Sequence, residues 1–500
     1  MRVSTSITIL ILCVLIGSCR KDFETIPSFG ALKFSKDTVF LDTIFSSIGS
    51  ATYNLKVYNT SANDITIPEI KLENGIGSNY RLNVDGIPGK DFENVEIRAK
   101  DSIFVFIETT IDYNTLNNPL YTDRILFDNG NNQQDVDLVT LVQDAVFIYP
   151  GKDPITMKID SLTLDGSPTS IKGRFLKNSE LNFTNDKPYV IYGYAAIADG
   201  NTLDIAAGTK IYFHQNSGII VDKNASLKAN GTLEDKIIFE GDRLENRFNN
   251  TPGQWGTIWM RAGSMENYIN HTVIKNNIIG ILVDSIGSNT TPTLQIQNSE
   301  IYNNSNYGIF ARSAAIEAEN IVIGNNGQAS LACTIGGSYR FTHATIGNFW
   351  NTSIRTLPAV IINNYITLEN NSQVKTTILG DLLEANFTNC IITGNNNVEF
   401  LLDKIDGTTF NYNVKNTLFK FNDVNNNYSN IPELDFSNQQ HYQNNIQNGF
   451  VNFKSPLQNN LKIGKESDAI NAGIRTAVSR DILNNTRDNR IDSGAYQYID

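Results

Sequence analysis

The chain has 500 residues, of which 10% are aromatic and 18% charged, and its formal net charge is −12. This composition is typical of folded globular units and excludes a disordered acidic tail. Because binding of phosphates needs a basic stripe and none occurs, the sequence predicts no nucleic-acid partner.

Residues 1–19 have the pattern of an export signal. Arg2 precedes the apolar run Ile7–Ile16, which is too short to span a bilayer, and Gly17-Ser18-Cys19 follows. The segment resembles a bacterial lipoprotein signal, whose lipobox consists of an aliphatic residue, two small residues and a cysteine. The resemblance implies that Cys19 is acylated and anchors the chain in a lipid membrane. The alternative is an ordinary cleaved secretory signal.

Residues 20–25 read as a tether, because Arg20-Lys21-Asp22-Phe23-Glu24 is strongly charged and follows Cys19 directly. The stretch resembles the acidic tether of surface-exported lipoproteins of Bacteroidota. This resemblance implies an exported, outer-membrane lipoprotein that is exposed at the cell surface.

Residues 26–146 contain short alternating strands separated by turn residues, such as Thr38–Leu41, Ala51–Tyr58 and Ser102–Ile107. Helical periodicity is absent, and the spacing predicts a β-sandwich. The segment resembles the immunoglobulin-like modules that precede β-helices in Bacteroidota lipoproteins, which implies a spacer between membrane and solenoid. An unrelated sandwich is the alternative.

Residues 147–500 repeat with a period in the low twenties. Ile301, Ile323 and Ile346 are separated by steps of 22 and 23 residues. Ile274 lies one step before this series, and Ile392 lies two steps of 23 after Ile346. Aligned on these anchors, other residues form columns: His271, Asn298, Asn320, His343 and Asn389; Ile269, Ile296, Ala318, Phe341 and Phe387; and Asn276, Asn303, Asn325 and Asn348. Stacked apolar and polar columns are the signature of a solenoid.

Terminal segments of this region resemble those of right-handed parallel β-helix proteins of the pectate-lyase-like kind. The likeness rests on residues 187–192 and 208–221 at the start and on 467–473 and 481–497 at the end. It implies a right-handed parallel β-helix over 147–500 whose open core is closed by a cap at each end.

Two places interrupt the repeat. The stretch between Ile346 and Ile392 does not align by one step, which predicts an irregular coil or an inserted loop near Asn363–Ser372. A larger excursion is predicted at Asp242–Gly253, before Trp255. Loops at coil corners are where solenoids usually carry binding surfaces.

No local signature predicts a cofactor or a metal site. HExxH, CxxC, GxSxG, phosphate-loop and EF-hand patterns are all absent. Cys333 falls in an inward apolar column with Val283 and Ala311, which favours a buried thiol over a disulfide or metal ligand. For His271 and His343, the shared column favours a hydrogen-bonded ladder over catalysis.

Outward columns carry the candidate binding residues Tyr268, Gln295, Glu317 and Arg340. Aromatic, amide and charged groups in a flat array suit sugar hydroxyls. The leading hypothesis is therefore a non-catalytic protein that recognises a glycan or another surface polymer along this face. The alternative is a solvated face with weak cross-strand pairs.

A carbohydrate enzyme is the rival hypothesis, since the fold hosts polysaccharide lyases and glycoside hydrolases. Its weak candidates for catalysis are the pairs Asp284 with Arg312 and Glu317 with Arg340. In each, the carboxylate would act as base and the guanidinium would stabilise negative charge. The three motifs of polygalacturonases are absent.

Five Asp-Ser/Thr-aliphatic triplets resemble the O-glycosylation sequon of Bacteroidota. Their acceptor residues are Thr38, Thr43, Ser102, Ser161 and Ser285. The resemblance predicts glycosylation there, and chance occurrence in Ser/Thr-rich strands is the alternative.

Overall fold

The computed structural model describes residues 24–285, 291–369, 375–488 and 490–499. The described residues form two compact units, which divide between Asp144 and Ala145. The predicted fold class is confirmed: the first unit is a β-sandwich and the second is a right-handed parallel β-helix. The predicted signal, Cys19 and most of the predicted tether lie outside the described residues.

Two sheets pack face to face in the first unit. The six-stranded sheet consists of Ile26–Pro27, Thr38–Phe45, Ile65–Leu72, Asp91–Ile97, Leu120–Phe127 and Gln134–Gln143. The five-stranded sheet consists of Lys33–Phe34, Tyr53–Tyr58, Tyr80–Val84, Ile87–Gly89 and Ser102–Thr109. Because side chains alternate across a strand, every second residue, such as Leu55, Val105 and Val136, enters one shared core.

Three sheets form the wall of the second unit, and their strands pair in parallel except for the antiparallel pair of Ser161–Leu164 with Ser167–Phe175. The first sheet consists of Val146–Ile148, Tyr189–Ile191, Lys210–Phe213, Ile237–Gly241, Thr272–Lys275, Glu300–Asn304, Val322–Asn326, Thr345–Asn348, Ile391–Gly394, Leu418–Phe419 and Ile446–Gln447. The second consists of Ser161–Leu164, Ser167–Phe175, Tyr194–Ile197, Gly218–Val221, Ile258–Met260, Ile279–Asp284, Tyr307–Arg312, Leu331–Thr334, Val360–Asn363 and Phe400–Asp403. The third consists of Asn182–Phe183, Thr202–Ile205, Ser226–Asn230, Asn267–Asn270, Leu294–Gln297, Ala315–Glu319, Gly337–Thr342, Leu382–Thr388, Asn413–Lys415 and Tyr442–Gln443.

Helical structure in the described part of the chain is limited to short 3-10 turns. These are Gly75–Gly77, Tyr113–Thr115, Gly130–Asn132, Asn178–Glu180, Asn246–Phe248, Pro432–Leu434 and Pro456–Gln458. Across that part, no helix is long and apolar enough to cross a lipid bilayer.

The predicted columns are confirmed residue by residue. Ile274 pairs with Ile301, Ile301 with Ile323, and Ile323 with Ile346. All four side chains are fully buried in the β-helix core. Cys333 pairs with Ala311 in another inward column and is a buried free thiol, as predicted. Each coil therefore adds one more layer of apolar side chains to the same columns.

The prediction of two coil steps between Ile346 and Ile392 is wrong. Ile346 pairs directly with Ile392, so the intervening stretch belongs to one long coil and not to two. The predicted insertion is a hairpin of Tyr365–Glu369 and Lys375–Leu379, whose turn lies outside the described residues. A parallel coil tolerates such an excursion because only its wall strands need to keep register. The excursion at 242–253 is also confirmed and contains Asn246–Phe248.

The polar column marks the corner between the third and first sheets, which we call the Asn/His corner. His271, Asn298, Asn320, His343 and Asn389 all have left-handed backbone, with φ between 44° and 55°. Asparagine tolerates this conformation at low cost, which explains its recurrence. The predicted ladder holds between Asn298 and Asn320, at 3.1 Å, and between His343 and Asn389, at 2.9 Å.

The predicted caps need correction at both ends. Tyr189–Ile191 is the second strand of the first sheet, because Val146–Ile148 precedes it in register. At the other end, Leu434, Phe436 and Tyr442 pack against the last core layer. The segment predicted as closing motif lies elsewhere, because its Ala495 amide donates to Thr345 and its Gly494 amide to Asn389, several coils back.

Residues 449–499, which we call the C-terminal segment, cover the outer face of the first sheet. The segment includes a hairpin of Phe453–Ser455 with Asn460–Ile463, and Leu461 packs against Val322. A side chain on Gly347 would meet Leu461 at 2.9 Å, so glycine permits the close approach. The Asn/His corner binds the segment as well: Asn320 and Asn389 donate to the carbonyls of Arg480 and Ile474.

We expect the burial of His343 to make the β-helix sensitive to acid. Burial and the nearby Arg487 guanidinium lower the pKa of His343 to about 3, whereas an unfolded histidine titrates near 6.5. The unfolded state therefore binds an extra proton as the pH falls from about 6.5, and stability is lost towards pH 3. Between pH 7 and 5, wild type should lose about 2 kcal/mol of unfolding free energy more than His343→Asn.

Chemical denaturation followed by tryptophan fluorescence measures this difference, because Trp255, Trp259 and Trp350 all lie in the β-helix unit. His214→Asn is the matched control, since its hydrogen bond to Asp242 raises the pKa of His214 and gives the opposite pH dependence. Equal pH dependence of wild type and His343→Asn would contradict the prediction.

Candidate functional site

The predicted binding residues lie in register on the outer surface of the third sheet. Tyr268 pairs with Gln295, Gln295 with Glu317, and Glu317 with Arg340. The structure thus brings all four onto one flat surface, one coil apart, as the sequence predicted. We call this surface, with its neighbouring outward residues, the polar face.

A coil-to-coil hydrogen-bond chain runs along the polar face. The Tyr268 hydroxyl donates to Gln297 Oε1 at 3.2 Å, and Gln297 Nε2 donates to Glu319 Oε2 at 3.1 Å. Arg340 lies between two carboxylates, 3.6 Å from Glu317 and 3.3 Å from Glu384. Because Arg340 is 54% exposed, these ion pairs contribute little to stability and leave the guanidinium open to a ligand.

Two groups on the polar face have altered proton affinity. Burial raises the pKa of Glu319, and the adjacent Glu317 carboxylate raises it further. Burial also raises the pKa of Tyr268, with a smaller contribution from Glu319. Glu319 therefore keeps its proton to a higher pH than an ordinary glutamate and can then donate a hydrogen bond.

Beside the polar face, at the Asn/His corner, lies a cleft of about 540 Å³. Asn270, His271, Asn298 and Glu319 form one wall of this corner cleft, and Val478 to Asp481 of the C-terminal segment form the other. The corner cleft is not predictable from the sequence, because the second wall of the cleft comes from a segment whose pattern predicts a cap over the core.

His271 departs from the predicted ladder. The side chain of Asn298 donates to Asn270 at 3.0 Å, and the buried Nδ1 of His271 has no hydrogen-bond partner among the described residues. Burial lowers the pKa of His271, and the Lys236 ammonium lowers it further. The imidazole is therefore neutral near pH 7, and its unpartnered Nδ1 is shielded from the cleft.

The second candidate pair lies on a different sheet. Asp284 and Arg312 pair on the second sheet, with Arg312 Nη2 2.5 Å from Asp284 Oδ1. Trp259 Nε1 donates to the other carboxylate oxygen at 2.7 Å. Both oxygens are thus engaged, which leaves Asp284 poorly placed to act as a base. The two predicted catalytic pairs do not form one site.

An apolar row beside Asp284 was missed by sequence analysis. Trp259, Leu282 and Phe310 are aligned on the outer surface of the second sheet, and each is half-buried. The signal was present, because each strand has three consecutive apolar residues, as in Ile258-Trp259-Met260. Such a run departs from the alternation expected when one side of a strand faces water.

The predicted glycosylation sites remain a prediction. Ser285 is exposed, whereas Thr38, Thr43, Ser102 and Ser161 are half-buried at or within strands. Among the described residues, no three His, Cys, Asp or Glu side chains converge to hold a metal ion.

Comparison with known proteins supports the fold over part of the chain. A family model described as a pectate-lyase like β-helix domain matches residues 174–281. No protein of curated function matches the chain.

Two solved structures show weak similarity. The catalytic domain of a GH87 α-1,3-glucanase in complex with nigerose is 13% identical, with 75% of this chain and 81% of that chain covered and a TM-score of 0.17. A family 123 glycoside hydrolase from Clostridium perfringens is 14% identical, with 22% of this chain and 25% of that chain covered and a TM-score of 0.16. The chain thus spans a quarter of that hydrolase, and both scores are too low to bear on function.

We expect Asn298 to be needed for both side chain and backbone reasons. Asn298→Gly removes two corner hydrogen bonds but tolerates the φ of 47°, whereas Asn298→Ala adds the strain of a left-handed alanine. The alanine variant should therefore be less stable than the glycine variant by about 1 kcal/mol, and both less stable than wild type. Urea denaturation measures the order, and an alanine variant as stable as the glycine variant would contradict it.

Proposed function

We propose that this chain is a non-catalytic binding protein that recognises a glycan, or another surface polymer, along the polar face. The proposal rests chiefly on one observation: amide, hydroxyl and charged side chains lie in register on successive coils and lead into the corner cleft. Sugar hydroxyls both donate and accept hydrogen bonds, so they suit such a mixed array.

The dimensions favour an extended ligand. Successive coils are about 4.8 Å apart, so a polymer that lies along the solenoid meets a new row of side chains at every coil. The corner cleft, at about 540 Å³, is within the range of small-molecule sites and can take part of such a chain. Exposed Gln295 and Arg340 are the expected first contacts.

A polysaccharide lyase or glycoside hydrolase is the second candidate, favoured by one observation. Glu319 has a raised pKa and lines the cleft with the neutral His271, and altered carboxyl groups in clefts mark many active sites. The two bases predicted from the sequence argue against catalysis. Both carboxylate oxygens of Asp284 have partners, and Glu317 is ion-paired with Arg340. Binding without turnover is the better account.

A glycan array probed with the intact chain tests the proposal. Wild type should bind at least one glycan class, and Glu317→Ala with Arg340→Ala should weaken that binding at least tenfold, because the double change removes the exposed Arg340 guanidinium and the half-buried Glu317 carboxylate from the polar face. Glu240→Ala with Lys275→Ala is the matched control, since it removes a 2.7 Å ion pair from a different sheet. The control should bind as wild type does.

Two results would contradict this function. Absence of binding across the array, or binding that survives the Glu317 and Arg340 changes, removes the polar face as the site. Release of reducing ends or of unsaturated sugars absorbing near 235 nm, lost in Glu319→Gln, would instead establish the enzyme.

We also propose that the chain is a surface-exposed outer-membrane lipoprotein anchored through Cys19. The support is the signal and lipobox pattern of the first residues. Acyl chains contribute about 0.8 kcal/mol per buried CH₂, so acylation of Cys19 can anchor a chain without a membrane-spanning helix.

Labelling of expressing cells with radioactive palmitate tests the anchor. Wild type should incorporate label, and Cys19→Ala should not, because the acyl acceptor is gone. Cys13→Ala is the matched control, since Cys13 lies within the apolar run and is removed with the signal. Equal labelling of wild type and Cys19→Ala would rule the anchor out.

A further inference from the structure

The outer surface of the five-stranded sheet carries two exposed aromatic rings. Phe104 and Phe106 are 44% and 40% exposed, and their ring centroids are 6.0 Å apart with an angle of 19° between the planes. Their strand neighbours Ile103, Val105 and Ile107 fill the sandwich core. The strand is therefore apolar on both sides, although one side of it faces water.

Polar groups flank these rings across the strands. Phe106 is paired with Asn54 on one side and Asn83 on the other, so the ring lies between two amides. Lys56 Nζ lies 5.2 Å from the ring centre of Tyr58 and 5.3 Å from that of Phe104. We call the surface formed by Asn54, Lys56, Asn83, Phe104 and Phe106 the aromatic platform.

Asn54 is the exposed amide of the aromatic platform, whereas the amide oxygen of Asn83 is shielded from water. A ligand can therefore hydrogen-bond the Asn54 amide, which both donates and accepts. Burial of the two rings by the same ligand would add hydrophobic stabilisation.

We propose that the aromatic platform binds a pyranose ring of a neutral glycan. The apolar face of the sugar would stack on Phe104 and Phe106, and the exposed Asn54 amide would donate to one hydroxyl. Uncharged amides flank Phe106 and match hydroxyl groups, and the Lys56 ammonium, 5.3 Å from the ring centre of Phe104, adds a further donor for a hydroxyl. The inference takes its ligand class from the proposed function but locates a separate contact in the sandwich unit.

The size of the aromatic platform argues against a protein partner. A stable protein interface buries about 800 Å² on each side, and two half-exposed rings offer much less. Stacked rings with convergent amides are enough for one or two sugar residues.

Native gel electrophoresis through hydroxyethyl cellulose, galactomannan or dextran tests the inference with the intact chain. At least one of these polysaccharides should retard wild type, and Phe104→Ala with Phe106→Ala should weaken that binding at least tenfold. Asn54→Ala should also weaken it. Phe40→Ala is the matched control, because Phe40 is 64% exposed on the six-stranded sheet. The ring variants should still unfold in one cooperative transition but with a lowered midpoint, since each ring is more than half buried. Binding is therefore compared at a temperature where wild type and variants are all folded.

The outcomes separate the two proposals. If the double phenylalanine variant is retarded as wild type is, or if none of the three polysaccharides retards wild type, the aromatic platform is not a neutral-glycan site. If that variant alone loses retardation while Glu317→Ala with Arg340→Ala keeps it, the platform holds and the polar face does not. If Glu317→Ala with Arg340→Ala loses retardation while the double phenylalanine variant keeps it, the polar face is supported and the aromatic platform is not.

Discussion

In-register pairing of each coil with the next is the constraint on which the β-helix depends. Each wall strand inside the stack satisfies its backbone hydrogen bonds with the coils above and below, so a residue at one position of a coil lies directly over its counterpart. A mismatch of one residue would turn Ile301 outward and bring Glu300 or Tyr302 toward the core. The fully buried isoleucine column therefore fixes the place of every other column, inward or outward.

The Asn/His corner serves two purposes at once. Its left-handed residues let the chain turn from the third sheet to the first, and their amides then bind the C-terminal segment. Arg487 joins the two roles, because its guanidinium donates to Asn320 at 3.1 Å and to Gln497 at 2.8 Å. Replacing Asn320 or Asn389 thus weakens both the turn and the docking of the C-terminal segment.

Surface chemistry differs between the sheets because each has a different neighbour. The outer surface of the first sheet lies under the C-terminal segment, so Val322 and Ile391 are apolar and buried there. The outer surface of the third sheet has no such cover over Gln295 and Arg340, and these side chains are polar and exposed. An open polar surface therefore remains at Gln295 and Arg340, where no described segment covers the wall.

The sequence alone determined that residues 147–500 form a solenoid, that Ile274 pairs with Ile301 and that Tyr268, Gln295, Glu317 and Arg340 align outward, because a coil repeat encodes register directly. It also located the hairpin inserted after Asn363. The position of the C-terminal segment, the corner cleft and the engagement of Asp284 by Trp259 were decided by tertiary structure. Each of these features depends on contacts between residues that are far apart in sequence and outside the coil repeat. Only the folded backbone brings such residues together.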